Sequence, residues 1–195
     1  LTTLAYDARN QLTQFNAPNN AQTHLTVDGL GNVSNETSAD RGSLAATHDA
    51  VGNLLTLSDA RGVIETHTYD ALNRPLTSTF PATGVNLATT WDSAPGCAHG
   101  IGRPCRITDN GGSTLFSYDA RGNRVSETRS EGSLTLPATQ YTWDSADRLS
   151  TEITPTGKLL VTQRDSDGRI QQLSTAVGAN PQLNLVANIQ QDAAG

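Results

Sequence analysis

A bulky residue followed at once by aspartate recurs at eight positions, and this periodicity constrains the fold more than any other feature of the chain. The anchors are Tyr6, Val27, His48, Tyr69, Trp91, Tyr118, Trp143 and Arg164, and the aspartates are Asp7, Asp28, Asp49, Asp70, Asp92, Asp119, Asp144 and Asp165. Successive anchors stand 21, 21, 21, 22, 27, 25 and 21 residues apart. An aspartate opens a tight turn well because its carboxylate accepts the backbone N–H two residues on. Three residues after the aspartate come Gly31, Gly52, Gly122 and Gly168, and in other units Asn10, Asn73 and Asp147, the residue types that best tolerate positive φ. A second turn signal falls between anchors, as in DRG at Asp40, DARG at Asp59, DNGG at Asp109 and PTG at Pro155. Each unit therefore has two turns.

Between the turns, VIETHTYD from Val63 and RPLTSTF from Arg74 alternate bulky with small polar residues, the period of a strand and not of a helix. Leu, Ile, Val and Phe make up only 39 of 195 residues, which by composition alone would permit disorder. The 26 threonines and the fixed turn punctuation argue instead for short strands joined by tight turns. The expected fold is all-β: a repetitive ribbon of antiparallel hairpins forming an open, curved and twisted sheet. About eight units cover residues 1–173, with an enlarged unit at 91–117, and residues 174–195 form a further repeat strand or begin the next unit. Tyr6, Tyr69, Trp91, Tyr118 and Trp143 then line up one repeat apart on one face as a packing spine. The functional alternative is a row of aromatic platforms for carbohydrate rings at a cell surface.

Thirteen basic against 19 acidic residues, a net charge of −6, leave no basic stripe for phosphates, so nucleic acid is not an expected partner. No apolar run approaches the length of a membrane span, and the start has no signal-peptide pattern. The chain opens in mid-repeat, which reads as a segment of something longer. His24, His48, His67 and His99 lack metal-type spacing, and Asp165 with Asp167 and Gly168 lacks the remaining ligands of a calcium loop. The GIG at Gly100 does not lead from a strand into a helix, as a dinucleotide loop would. Asn32 and Asn35 fit the glycosylation pattern, which matters only in a secreted eukaryotic protein. Cys97 and Cys105 are half a zinc set, with His99 a weak third ligand, and lack redox C-x-x-C spacing. A local disulfide across the enlarged loop fits better, with free thiols as the alternative. No cofactor, metal or catalytic residue is expected.

The phrases YDALNRPLTSTF, YDARGNRVSETR, SDARGVIETHTYD and TDNGGSTLFSYD resemble the YD-repeat or Rhs-repeat family. The insertion WDSAPGCAHGIGRPCRITDNGG also looks like an enlarged unit of the bacterial branch. The resemblance implies a β-ribbon that spirals into a hollow shell around a C-terminal toxin or effector polypeptide, secreted or cell-surface associated in bacteria. Its implied partners are flanking repeats and that cargo, with self-association through open sheet edges. The DPxGLxG-type terminus that carries the cleaving aspartates of many members does not occur here. No catalytic residue is therefore carried over, and a self-cleaving effector is the least favoured of the three functions.

Overall fold

The computed structural model describes residues 1–177 and 183–186, and in them every regular element is a β-strand. The chain divides into two units, Leu1–Ala88 and Thr89–Gly195. The first contains β1 (Thr3–Tyr6), β2 (Leu12–Asn16), β3 (Gln22–Val27), β4 (Val33–Ser38), β5 (Gly42–His48), β6 (Leu54–Ser58), β7 (Ile64–Tyr69), β8 (Pro75–Phe80) and most of β9 (Val85–Trp91). Each of these strands pairs antiparallel with the next. The second unit contains β10 (Pro104–Asp109), β11 (Gly112–Tyr118), β12 (Arg124–Glu131), β13 (Leu134–Thr135), β14 (Thr139–Trp143), β15 (Leu149–Ile153), β16 (Lys158–Arg164), β17 (Ile170–Val177) and β18 (Leu183–Val186). Here too neighbours pair antiparallel, with β12 contacting both the two-residue β13 and β14. Each unit is thus a meander of hairpins, the all-β class that the repeat spacing predicts. Of the segment 174–195, the end of β17 and β18 are described; the rest of that expectation lies outside the described residues.

The register shifts at the anchors. Thr68 faces Thr77 and the next residue, Tyr69, faces Pro75, so one residue of the following strand is left over. The same shift occurs at Tyr6, Val27, His48, Tyr118, Trp143 and Arg164. An extra residue of this kind bends the strand and re-aims the neighbouring side chain. Just before the bulge, hydroxyls pair across the strands: Thr47 with Thr56 at 2.6 Å, Thr68 with Thr77 at 2.7 Å and Thr142 with Thr151 at 2.7 Å. Threonine suits these positions because its branch fits the pleat and its hydroxyl finds a cross-strand partner.

Burial is shallow. Among the described residues the buried hydrophobic side chains are Cys105 and Tyr118, whereas Leu4, Leu87 and Leu183 are exposed by 50%, 42% and 67%. A sheet ordinarily buries an apolar face against a second layer. Among the described residues neither unit supplies that layer from its own chain.

Candidate functional site

The repeated structural device is the turn after each anchor. At Asp49, Oδ1 accepts the N–H groups of Val51 at 3.0 Å and Asn53 at 2.9 Å. The Asp49 N–H donates to Asn53 O at 2.9 Å, and the Gly52 N–H to Asp49 O at 3.1 Å. Asp7, Asp28, Asp70, Asp119, Asp144 and Asp165 accept the same two backbone N–H groups, at positions two and four residues on. The third residue after the aspartate has positive φ: Gly31 94°, Gly52 92°, Gly122 94° and Gly168 85°, with Asn10 64°, Asn73 62° and Asp147 57°. Asp59 builds an identical turn on Arg61 and Val63 although Ser58, not an anchor, precedes it. Its signal was the DARG phrase, which places it among the intervening turns. Asp92 alone of the eight departs, with φ of 67° and its N–H donating across the enlarged loop to Arg103 O at 3.0 Å. Its Oδ1 accepts the Gly102 N–H at 2.7 Å.

Three of the anchors lean over the neighbouring strand on the N-terminal side and end in hydrogen bonds to its backbone. Tyr69 Oη donates to Leu54 O at 3.0 Å, Tyr118 Oη to Pro104 O at 2.7 Å and Trp143 Nε1 to Arg124 O at 2.9 Å. Each acceptor is the first residue of its strand, so the polar tip of one anchor closes the exit of the previous turn. Tyr118 is buried, Tyr69, Trp91 and Trp143 are half-buried, and Tyr6 is exposed. Val27, His48 and Arg164 fill the same slot half-buried.

In the enlarged loop Cys97 and Cys105 are bonded, with Sγ–Sγ 2.03 Å. The loop docks on the end of β11: the Tyr118 N–H donates to Ala98 O and the Ala98 N–H to Ser117 Oγ, both at 3.1 Å. The Arg103 guanidinium stands 5.6 Å from the Tyr118 ring centre, within cation–π range. Beyond the next hairpin, Asp109 accepts two hydrogen bonds of 2.8 Å from the Arg129 guanidinium and the N–H groups of Gly111 and Gly112.

These bonds favour the charged carboxylates. The Arg129 guanidinium and the turn N–H groups pull Asp109 from 3.8 to about 2, against desolvation. The Asn32 and Asn53 side chains lower Asp28 and Asp49, the Arg61 side chain lowers Asp59, and the Arg74 and Arg148 backbone N–H groups lower Asp70 and Asp144. A carboxyl held below its unfolded value contributes stability that is complete above about pH 4 and is lost as pH falls toward the folded pKa. The melting midpoint is therefore expected to be flat near neutrality and to fall between about pH 4 and pH 2. Asp109→Asn should make that decline shallower; a pH profile identical to wild type would refute the role of this pair.

Among the described residues no group of three or more His, Cys, Asp and Glu side chains could hold a metal. Asp165 Oδ1 is engaged by the Asp167 and Arg169 N–H groups, and Asp167 pairs with Arg169 at 3.1 Å. Ser78 Oγ donates to Glu65 at 2.7 Å, whereas His67, opposite Ser78 in the register, has its Nε2 3.4 Å from the same carboxylate and makes no hydrogen bond through it. No helix among the described residues is long and apolar enough to cross a membrane.

The RHS Repeat family model matches residues 48–85 and 100–134. No curated protein matches the chain. Among solved structures it is similar to TcdB2-TccC3 without its hypervariable C-terminal region, at 20% identity and a TM-score of 0.83, over 100% of this chain and 11% of that one. The complex TcdB2-TccC3-Cdc42 gives the same values. A variant of the Photorhabdus luminescens Tc holotoxin pore gives 19% identity and a TM-score of 0.83 over 100% of this chain and 11% of that one. The likeness is one of fold, and the chain spans 11% of the length of the solved chains it matches.

Proposed function

We propose that the work of this chain, which the RHS Repeat family model matches over residues 48–85 and 100–134, is structural: it is a non-catalytic segment of a shell that encloses a C-terminal toxin or effector polypeptide of its parent protein. In this reading residues 1–173 are its repeats, Tyr6 to Trp143 its lateral anchors, and 174–195 a further repeat strand or the start of the next unit. The observation that carries this reading is the shallow burial. Among the described residues the hairpins leave Cys105 and Tyr118 as the buried hydrophobics, while an apolar groove lined by Leu149, Leu160, Val161, Leu173 and Leu185 stays open. Such surface is stable against another layer of protein and costly against water. The whole-length likeness to chains of TcdB2-TccC3 supports the same reading at the level of fold.

A photo-crosslinking residue at Leu160 in the full parent protein is expected to attach to that protein's own C-terminal polypeptide. Attachment to flanking repeats alone, or to nothing, would overturn enclosure. The carbohydrate reading has less support, because the polar tips of Tyr69, Tyr118 and Trp143 are engaged by backbone carbonyls. The same exposure bears on the isolated 195-residue chain. It is expected to self-associate at micromolar concentration through uncovered apolar faces and strand edges. Size exclusion with light scattering checks this, and a stable monomer would contradict it.

A further inference from the structure

Adjacent turns along the anchor edge touch through side chains whose pairing follows a rule. In six of the turns the residue whose carbonyl receives the aspartate N–H sends its side chain toward the positive-φ residue of the next turn. In Leu1–Ala88, Gln11 lies against Gly31, Asn32 against Gly52, and Asn53 Nδ2 donates to Asn73 Oδ1 at 2.9 Å. In Thr89–Gly195, Arg103 lies against Gly122, Asn123 Nδ2 donates to Asp147 Oδ1 at 2.7 Å, and Arg148 lies against Gly168. Arg103 holds its place despite the enlarged loop, because its carbonyl is the acceptor for Asp92.

Glutamine and asparagine also face glycine, at Gly31 and Gly52, but arginine and the bulkier facing residues are never combined in these six pairs. Where the side chain is arginine, the facing residue is glycine, and a Cβ there would fall inside the guanidinium: on Nη2 of Arg103 at Gly122 and on Nη1 of Arg148 at Gly168. Where the facing residue is asparagine or aspartate, the side chain is the shorter asparagine, which bonds it. The asparagines at this place also bond back to their own turn, Asn32 Nδ2 to Asp28 and Asn53 Nδ2 to Asp49, as Arg148 Nε does to Asp144. Strands rich in threonine and poor in large apolar residues specify their register weakly. A contact that distinguishes one following turn from another adds the missing specificity, in the nearest-neighbour manner of repeat proteins.

We infer that this edge is a recognition surface between repeats: the side chain at the residue that accepts the turn aspartate's N–H selects which hairpin can follow, arginine requiring glycine and asparagine accepting glycine, asparagine or aspartate. The partner it fits is another turn of the same kind. The selection holds whether or not the enclosing role does, since its test needs no cargo.

Two double-mutant cycles on the full chain test it, read as thermal midpoints by circular dichroism. Gly168→Asn places a side chain against Arg148 and is expected to lower the midpoint by about 3 °C or more. Adding Arg148→Asn recreates the Asn53–Asn73 pair and should recover at least half of that loss, while Arg148→Asn alone changes little. If Gly168→Asn fails to fold and the double variant folds, the inference also stands. The second cycle runs in the opposite direction: Asn53→Arg should lower the midpoint beside Asn73, and Asn53→Arg with Asn73→Gly should restore it. This cycle decides if neither variant at Gly168 folds. Midpoint shifts that simply add would mean that the two positions do not read each other, and would overturn the inference.

Discussion

Gly112→Ala is expected to cost about 3 kcal/mol or more of unfolding free energy, because the added methyl meets backbone that cannot yield. Gly112 opens β11 after the DNGG turn with φ of 152°, outside the range that alanine readily adopts. A Cβ there would overlap the Ser130 carbonyl oxygen and lie 2.9 Å from its carbon and 3.0 Å from Glu131 Cα. Ser130 is held on both sides, opposite Ser113 of β11 and Thr135 of β13, so relief requires β11 and β12 to part. The same movement would disturb Asp109, which the Gly112 N–H and Arg129 jointly hold. Gly132→Ala is the control: its φ is 58° and nothing stands within 4 Å, so only the left-handed backbone penalty of about 1 kcal/mol should appear. Denaturant midpoints compare the two, and equal losses would refute the backbone collision.

Replacing both Cys97 and Cys105 with alanine is expected to cost about 2.5 kcal/mol, the chain entropy released when a nine-residue loop is no longer closed. The bond spans eight positions of sequence and buries Cys105 completely. Gly100 packs against the disulfide, where a Cβ would stand 2.6 Å from Cys97 Sγ and 2.7 Å from Asp92 O, so the loop has packed around the bond. The damage should reach Tyr118, whose N–H rests on Ala98 O, and raise its accessibility. The measurement is the denaturant midpoint of the double variant, beside wild type with and without reductant. A reduced protein, proven so by alkylation and mass spectrometry, that unfolds at the oxidised midpoint would contradict the prediction.

The fold class was legible from residue order alone, because what specifies it is local. Asp49 with Val51 and Asn53, or Asp28 with Leu30 and Asn32, close within five residues, and chain order alone brings such groups together. Alternation between turns then leaves antiparallel hairpins as the only short connection. Asp59 was readable as a turn for the same reason, although nothing in its phrase distinguishes its geometry from that of the anchor turns. The features that residue order could not reveal lie across strands. The bulge that leaves Leu76 unopposed between the partners of Thr68 and Tyr69 does not interrupt the apparent alternation of RPLTSTF, since a register belongs to two strands and a pattern to one. The backbone acceptors of Tyr69, Tyr118 and Trp143, 15, 14 and 19 residues away, depend on that bulge turning each ring back over its neighbour. The contact of Arg148 with Gly168 likewise needs two turns stacked side by side, a distance that neither residue's own neighbours in sequence can set.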